Sequence, residues 1–99
     1  MTVAIDHIKS RQTDFRETAD DYRGELFRLG RYRVAVCSYG IQWLFQRQRR
    51  RSAVGGAAWD TLGYCASRTG LIRLHREYGA SVHHSLRQLP EHFKRDGRQ

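Results

Sequence analysis

Residues 31–46 read RYRVAVCSYGIQWLFQ, two runs of strand-forming residues on either side of Tyr39-Gly40. A loop at that pair makes a hairpin, setting Ser38 opposite Ile41, Val36 opposite Trp43, Val34 opposite Phe45 and Tyr32 opposite Arg47. Side chains alternate along a strand, so Tyr32, Val34, Val36, Ile41, Trp43 and Phe45 share a face that must be covered. The opposite face carries Arg33, Ala35, Cys37, Gln42, Leu44 and Gln46, a mixed set expected to tolerate water.

Upstream, Phe15, Ala19, Tyr22, Leu26 and Leu29 recur at intervals of four, three, four and three. That spacing predicts a helix from Asp14 to Leu29, capped by Thr13 or Asp14, with acids in its first turns and Gly30 as its stop. Gly24 lowers its helix propensity and permits close packing on the hairpin. Residues 1–11 hold Val3, Ile5 and Ile8 without a period and read as an arm. Downstream, RQRRRSAVGG at 47–56 has the composition of a solvated loop.

From Ala57 to Cys65, AAWDTLGYC reads as a third antiparallel strand, with Leu62 and Tyr64 on one face and Trp59 and Thr61 on the other. Gly63 marks a bulge or a close approach by a covering helix. Ser67 or Thr69 then caps a helix whose inner stripe is Leu71, Leu74, His75 and Tyr78, with Arg73 and Arg76 outside and Gly79 at its end. Ser81 caps a shorter helix with Val82, Leu86 and Leu89 inward, Pro90 ends it or opens a last turn holding Phe93, and 94–99 form a tail. The expectation is one α+β domain over 1–99: a three-stranded antiparallel sheet covered by an N-terminal helix and two C-terminal helices.

Hydrophobic residues make up 39% and charged residues 28% of the 99, which fits a folded domain and not a disordered tail. No apolar run approaches the ~18 residues of a membrane span, and MTVAIDHIKS lacks the apolar centre of a secretory signal, so a cytoplasmic protein is expected. Cys37 and Cys65 lack CxxC spacing and read as small strand residues, the alternative being an intermolecular disulfide through an exposed thiol. The remaining acids are scattered, His83 and His84 diverge on a helix, and no glycine-rich phosphate loop exists. Neither an enzyme nor a metal or cofactor site is expected.

Net charge is +8, with sixteen arginines and two lysines. Residues 28–76 hold ten arginines against the single acid Asp60, whereas Asp14, Glu17, Asp20, Asp21 and Glu25 cluster upstream. A GC-rich genome enriches arginine irrespective of function, but the planar guanidinium also suits phosphate and carboxylate recognition. One reading places Arg31, Arg33, Arg47, Arg49, Arg50 and Arg51 on nucleic-acid phosphates, extended by Arg73 and Arg76, with Arg33, Gln42 and Gln46 facing bases from the hairpin. Three strands followed by a helix, with LGYCASRTGL at the passage between them, resemble plant AP2-type DNA-binding domains. In the other reading the chain is a non-enzymatic protein ligand, monomer or homodimer, whose arginines, Trp59 and Tyr64 meet an acidic partner or occupy a channel built for nucleic acid.

YRVAVCSYGIQWLFQ, Trp59 with LGYCASRTGL, and LPEHF at 89–93 resemble a group of small proteins from alphaproteobacteria and their mobile elements. In size and element order the chain is also similar to anti-CRISPR proteins directed against type I-C systems. That resemblance implies a phage or mobile-element inhibitor that binds the Cascade surveillance complex directly, which is the function expected, the alternative being a small basic DNA-binding accessory or regulatory protein. The acid-rich segment and the long arginine loop depart from the shorter members of that group.

Overall fold

A computed structural model describes residues 16–49 and 58–94. The 1–11 arm, the proposed helix cap at Thr13 or Asp14, Arg50, Arg51 and the tail beyond Lys94 lie outside them. Four strands, β1 (Glu25–Leu29), β2 (Tyr32–Val36), β3 (Trp43–Gln48) and β4 (Trp59–Cys65), form one antiparallel sheet in chain order. Two helices follow, α1 (Arg68–Glu77) and α2 (His84–Arg87). Among the described residues the expected three strands and three helices are thus corrected to four strands and two short helices.

The hairpin has the expected register, with Tyr32 opposite Arg47, Val34 opposite Phe45 and Val36 opposite Trp43. Its turn closes through Gly40 N–H donating to Cys37 O (2.9 Å) and Cys37 N–H donating to Gln42 O (2.9 Å). Gly40 takes φ 70°, a conformation that a β-carbon disfavours. Val34, Trp43 and Phe45 are buried with Leu71, Ala80 and Leu86 beneath the helical layer, and Phe93 meets Trp43 edge-on at 5.0 Å. Register slips at Leu62, so Thr61 and Tyr64 share the Arg33 face while Leu62 packs toward the helices. The bulge and the close approach at Gly63 both occur, since a β-carbon there would lie 2.5 Å from Leu74 Cδ1. Ser67 caps α1 by accepting from Gly70 N–H (3.0 Å), and Gly79 with φ 71° follows its end. His83, not Ser81, caps α2, its Nδ1 accepting from Ser85 N–H.

No helix spans 16–29. Residues 16–24 form successive turns, and Glu25–Leu29 pairs with β2 with a bulge at Leu26. The turns lie over the sheet face that was expected to meet water. Trp59 N–H donates to Thr18 O on one side, and Tyr22 Oη donates to Val36 O (2.6 Å) on the other. Ala35, Cys37, Leu44 and Tyr22 make a second buried cluster there, so the sheet is covered on both faces. The helical spacing misled because its residues serve different surfaces: Tyr22 packs under the turns, Phe27 faces the helical layer, and Leu26 and Leu29 remain exposed.

Candidate nucleic-acid interface

Two of the residues expected to face bases are interior. Arg33 is 1% exposed and Gln46 is 0% exposed, side by side on neighbouring strands. A buried guanidinium is tolerated only when its donors are met. Arg33 Nε donates to Gln46 Oε1 (2.7 Å), Nη1 to Asp20 O (3.1 Å) and Glu25 Oε1 (2.9 Å), and Nη2 to Glu17 O (3.0 Å) and Ala19 O (2.9 Å). Gln46 Nε2 donates to Glu17 O and Thr61 Oγ1, both at 2.9 Å. The Arg33 and Arg28 guanidinium carbons lie 4.3 and 4.9 Å from the centroid of the buried Trp59 ring, whose Nε1 donates to Asp20 Oδ1. The hydrogen bond from Trp59, with the two guanidiniums, holds the Asp20 carboxyl below its ordinary range despite some burial. Burial pushes Glu25 up, but Arg28 and Arg33 together pull it below the ordinary range. Arg33 and Gln46 therefore clamp the N-terminal turns to the sheet and have no donors left for a ligand.

Gln42 is half-buried in the hairpin turn, at the opposite end of β3 from Arg47. Five residues of strand place them about 16 Å apart. The other candidates gather at that far end. Arg31, exposed in the β1–β2 turn, donates from Nη2 to Gln48 O (3.0 Å), while Gln48 N–H donates to Arg31 O (2.7 Å). Arg47 lies with its guanidinium carbon 5.7 Å from the Tyr78 ring centroid. Arg49 is exposed and donates from Nε and Nη2 to Asp60 Oδ1, a pairing that holds the Asp60 carboxyl low.

The C-terminal end of α1 arrives at the same place, for Tyr32 Oη donates to Tyr78 O (3.4 Å). Arg73 and Arg76 are exposed on α1 one turn apart and make no ion pair among the described residues. Arg73 and Arg76 thus lie on the exposed side of a helix whose C-terminal end reaches the sheet end that carries Arg31, Arg47 and Arg49. Arg50 and Arg51 lie outside the described residues.

Both thiols are free, Cys37 buried and Cys65 half-buried. Burial of Cys37 leaves it unsuited to link two chains. Burial also pushes the Cys65 thiol up, against a smaller opposing pull from Arg73. Among the described residues no three His, Cys, Asp or Glu side chains gather as a metal site, and no helix is long and apolar enough to cross a membrane. Tyr78 was not among the candidates because its spacing places it on the inner stripe of α1, yet at the helix end it is 40% exposed. The signal lay in its position immediately before Gly79, where the helix ends. No protein-family model matches this sequence, and no curated protein or solved structure matches it at a significant level.

Proposed function

We propose that the chain is a non-enzymatic binding protein of the cytoplasm that docks on nucleic-acid phosphates through Arg73, Arg76, Arg47, Arg31 and Arg49. The observation that carries this reading is the partition of charge. Arg28 and Arg33 are neutralised by Asp20 and Glu25 on the turn-covered side, while Arg73 and Arg76 have no acid partner among the described residues. Guanidiniums without an acid partner, such as these two, suit a phosphate backbone, whose charges recur along its length, whereas Arg49 would have to exchange Asp60 for a phosphate.

The type I-C Cascade inhibitor is a second reading, and its support is the sequence resemblance. The residues that carry that resemblance have structural duties: Gly40 makes the turn, Trp43 and Trp59 are buried, Gln46 is in the clamp, and Gly63 admits Leu74. The resemblance consequently speaks for the fold more than for a target.

Fluorescence anisotropy with labelled mixed-sequence oligonucleotides, from about 50 to 300 mM salt, tests the first reading. Log affinity is expected to fall linearly with log salt, and Arg73→Glu with Arg76→Glu should flatten that slope by roughly 2. Absence of binding at the lowest salt, or an unchanged slope in the double variant, removes the phosphate reading. Co-elution with purified type I-C Cascade in that case favours the inhibitor.

A further inference from the structure

Resting on the nucleic-acid reading, we infer that this surface holds a single strand, with one base stacked against the Tyr78–Arg47 pair. Tyr78 is an exposed aromatic with the Arg47 guanidinium 5.7 Å from its ring centroid. Tyr39 and Tyr64 are more exposed, but no guanidinium lies over either among the described residues. The Tyr78 platform is held from behind. It is the C-cap of α1, its carbonyl accepts from Tyr32 Oη, and the Phe45 ring lies 6.1 Å away at 55°. A ring fixed in this way loses little freedom when a base stacks on it.

Duplex is disfavoured because the hairpin ribbon that could enter a groove is covered on both faces, with its polar face spent on the Arg33 clamp. A single strand needs no such ribbon. Its unstacked bases can reach an aromatic ring at the end of the sheet while its phosphates follow Arg73, Arg76 and Arg31.

Anisotropy with a mixed-sequence single strand and the duplex of equal length, at one low salt concentration, reads the preference directly. The single strand is expected to bind more tightly. Tyr78→Ala should weaken it by roughly tenfold without affecting duplex, whereas Tyr78→Phe, which keeps the stacking surface, should change it by less than about twofold. Ultraviolet cross-linking of a bromouracil-substituted single strand, mapped by mass spectrometry, should place the adduct on Tyr78. That readout decides the matter in the unaltered chain should Tyr78→Ala fail to fold. Equal or tighter duplex binding, or an adduct elsewhere, overturns the stacking inference. The phosphate reading survives that result if Arg73→Glu with Arg76→Glu still weakens binding. If neither strand form binds, or the double variant binds like the unaltered chain, both fall.

Discussion

Arg33 shows how an ambiguous residue is decided by a distant segment. Its position beside Gln46 was legible in the hairpin register, but the burial of both was not. Apart from Gln46 Oε1, the acceptors that satisfy it are the carbonyls of Glu17, Ala19 and Asp20 and the Glu25 carboxylate, all supplied by a segment whose spacing suggested a helix. In a helix those carbonyls would be engaged by amides four residues on. Lysine at this position offers three donors on a flexible stem and no plane to lay on Trp59. Arg33→Lys is therefore expected to destabilise the fold by about 2–4 kcal/mol, seen as a lower urea midpoint. Trypsin should also cut earlier at Arg16 or Arg23 in that variant, because the clamp anchors the turns that contain them. A midpoint unchanged from the unaltered chain would show the network to be dispensable.

Among the elements, those whose signals agree at several levels were legible. β2 and β3 combine alternation with a turn glycine, and α1 combines a serine cap, a 3.6-residue stripe and a terminal glycine. The Asp14–Leu29 spacing had periodicity and acids in its favour, but it was interrupted by Gly24, and the tertiary contacts overrode it. Close packing of Gly24 on the hairpin was legible despite the wrong element. A β-carbon there would lie 2.6 Å from the Val36 carbonyl oxygen and 2.6 Å from the Tyr22 ring, and Val36 N–H donates to Gly24 O (2.8 Å). Gly24→Ala should lower stability by about 1–3 kcal/mol, since backbone and a packed ring must move. Gly63→Ala meets the tip of the Leu74 side chain, which can change rotamer, and the smaller loss is expected there. Thermal melting of the two variants side by side checks the order. Of the candidate interface, Arg73 and Arg76 followed from helix period and Arg47 from strand register. That the end of α1 meets the Arg47 end of the sheet depends on the helix running back over β3 and β4, which local sequence does not encode.

At the scale of the whole molecule, the two layers are expected to lose stability to acid over different pH ranges. His75 is buried against Phe45, ring centroids 4.1 Å apart, with Nδ1 donating to Leu71 O (2.8 Å). Burial pushes its pKa down, outweighing the Leu71 carbonyl, so the unfolded chain binds a proton first as pH falls. Stability from His75 is whole above its unfolded value of about 6.5 and declines as pH drops below it, levelling off beneath the folded value. Asp20 and Glu25, held low by the turn-side network, contribute stability above about pH 4 that is lost as pH falls through their folded values. Urea titrations across pH should therefore show two separate declines. Removing His75 by His75→Leu should erase the upper one alone. The separation can also be followed optically, because each cover of the sheet encloses its own indole: Trp43 sits under the helices against Phe93, and Trp59 under the turns against two guanidiniums. Replacing either by phenylalanine leaves a single-emitter protein whose fluorescence reports which lid of the sandwich lifts first.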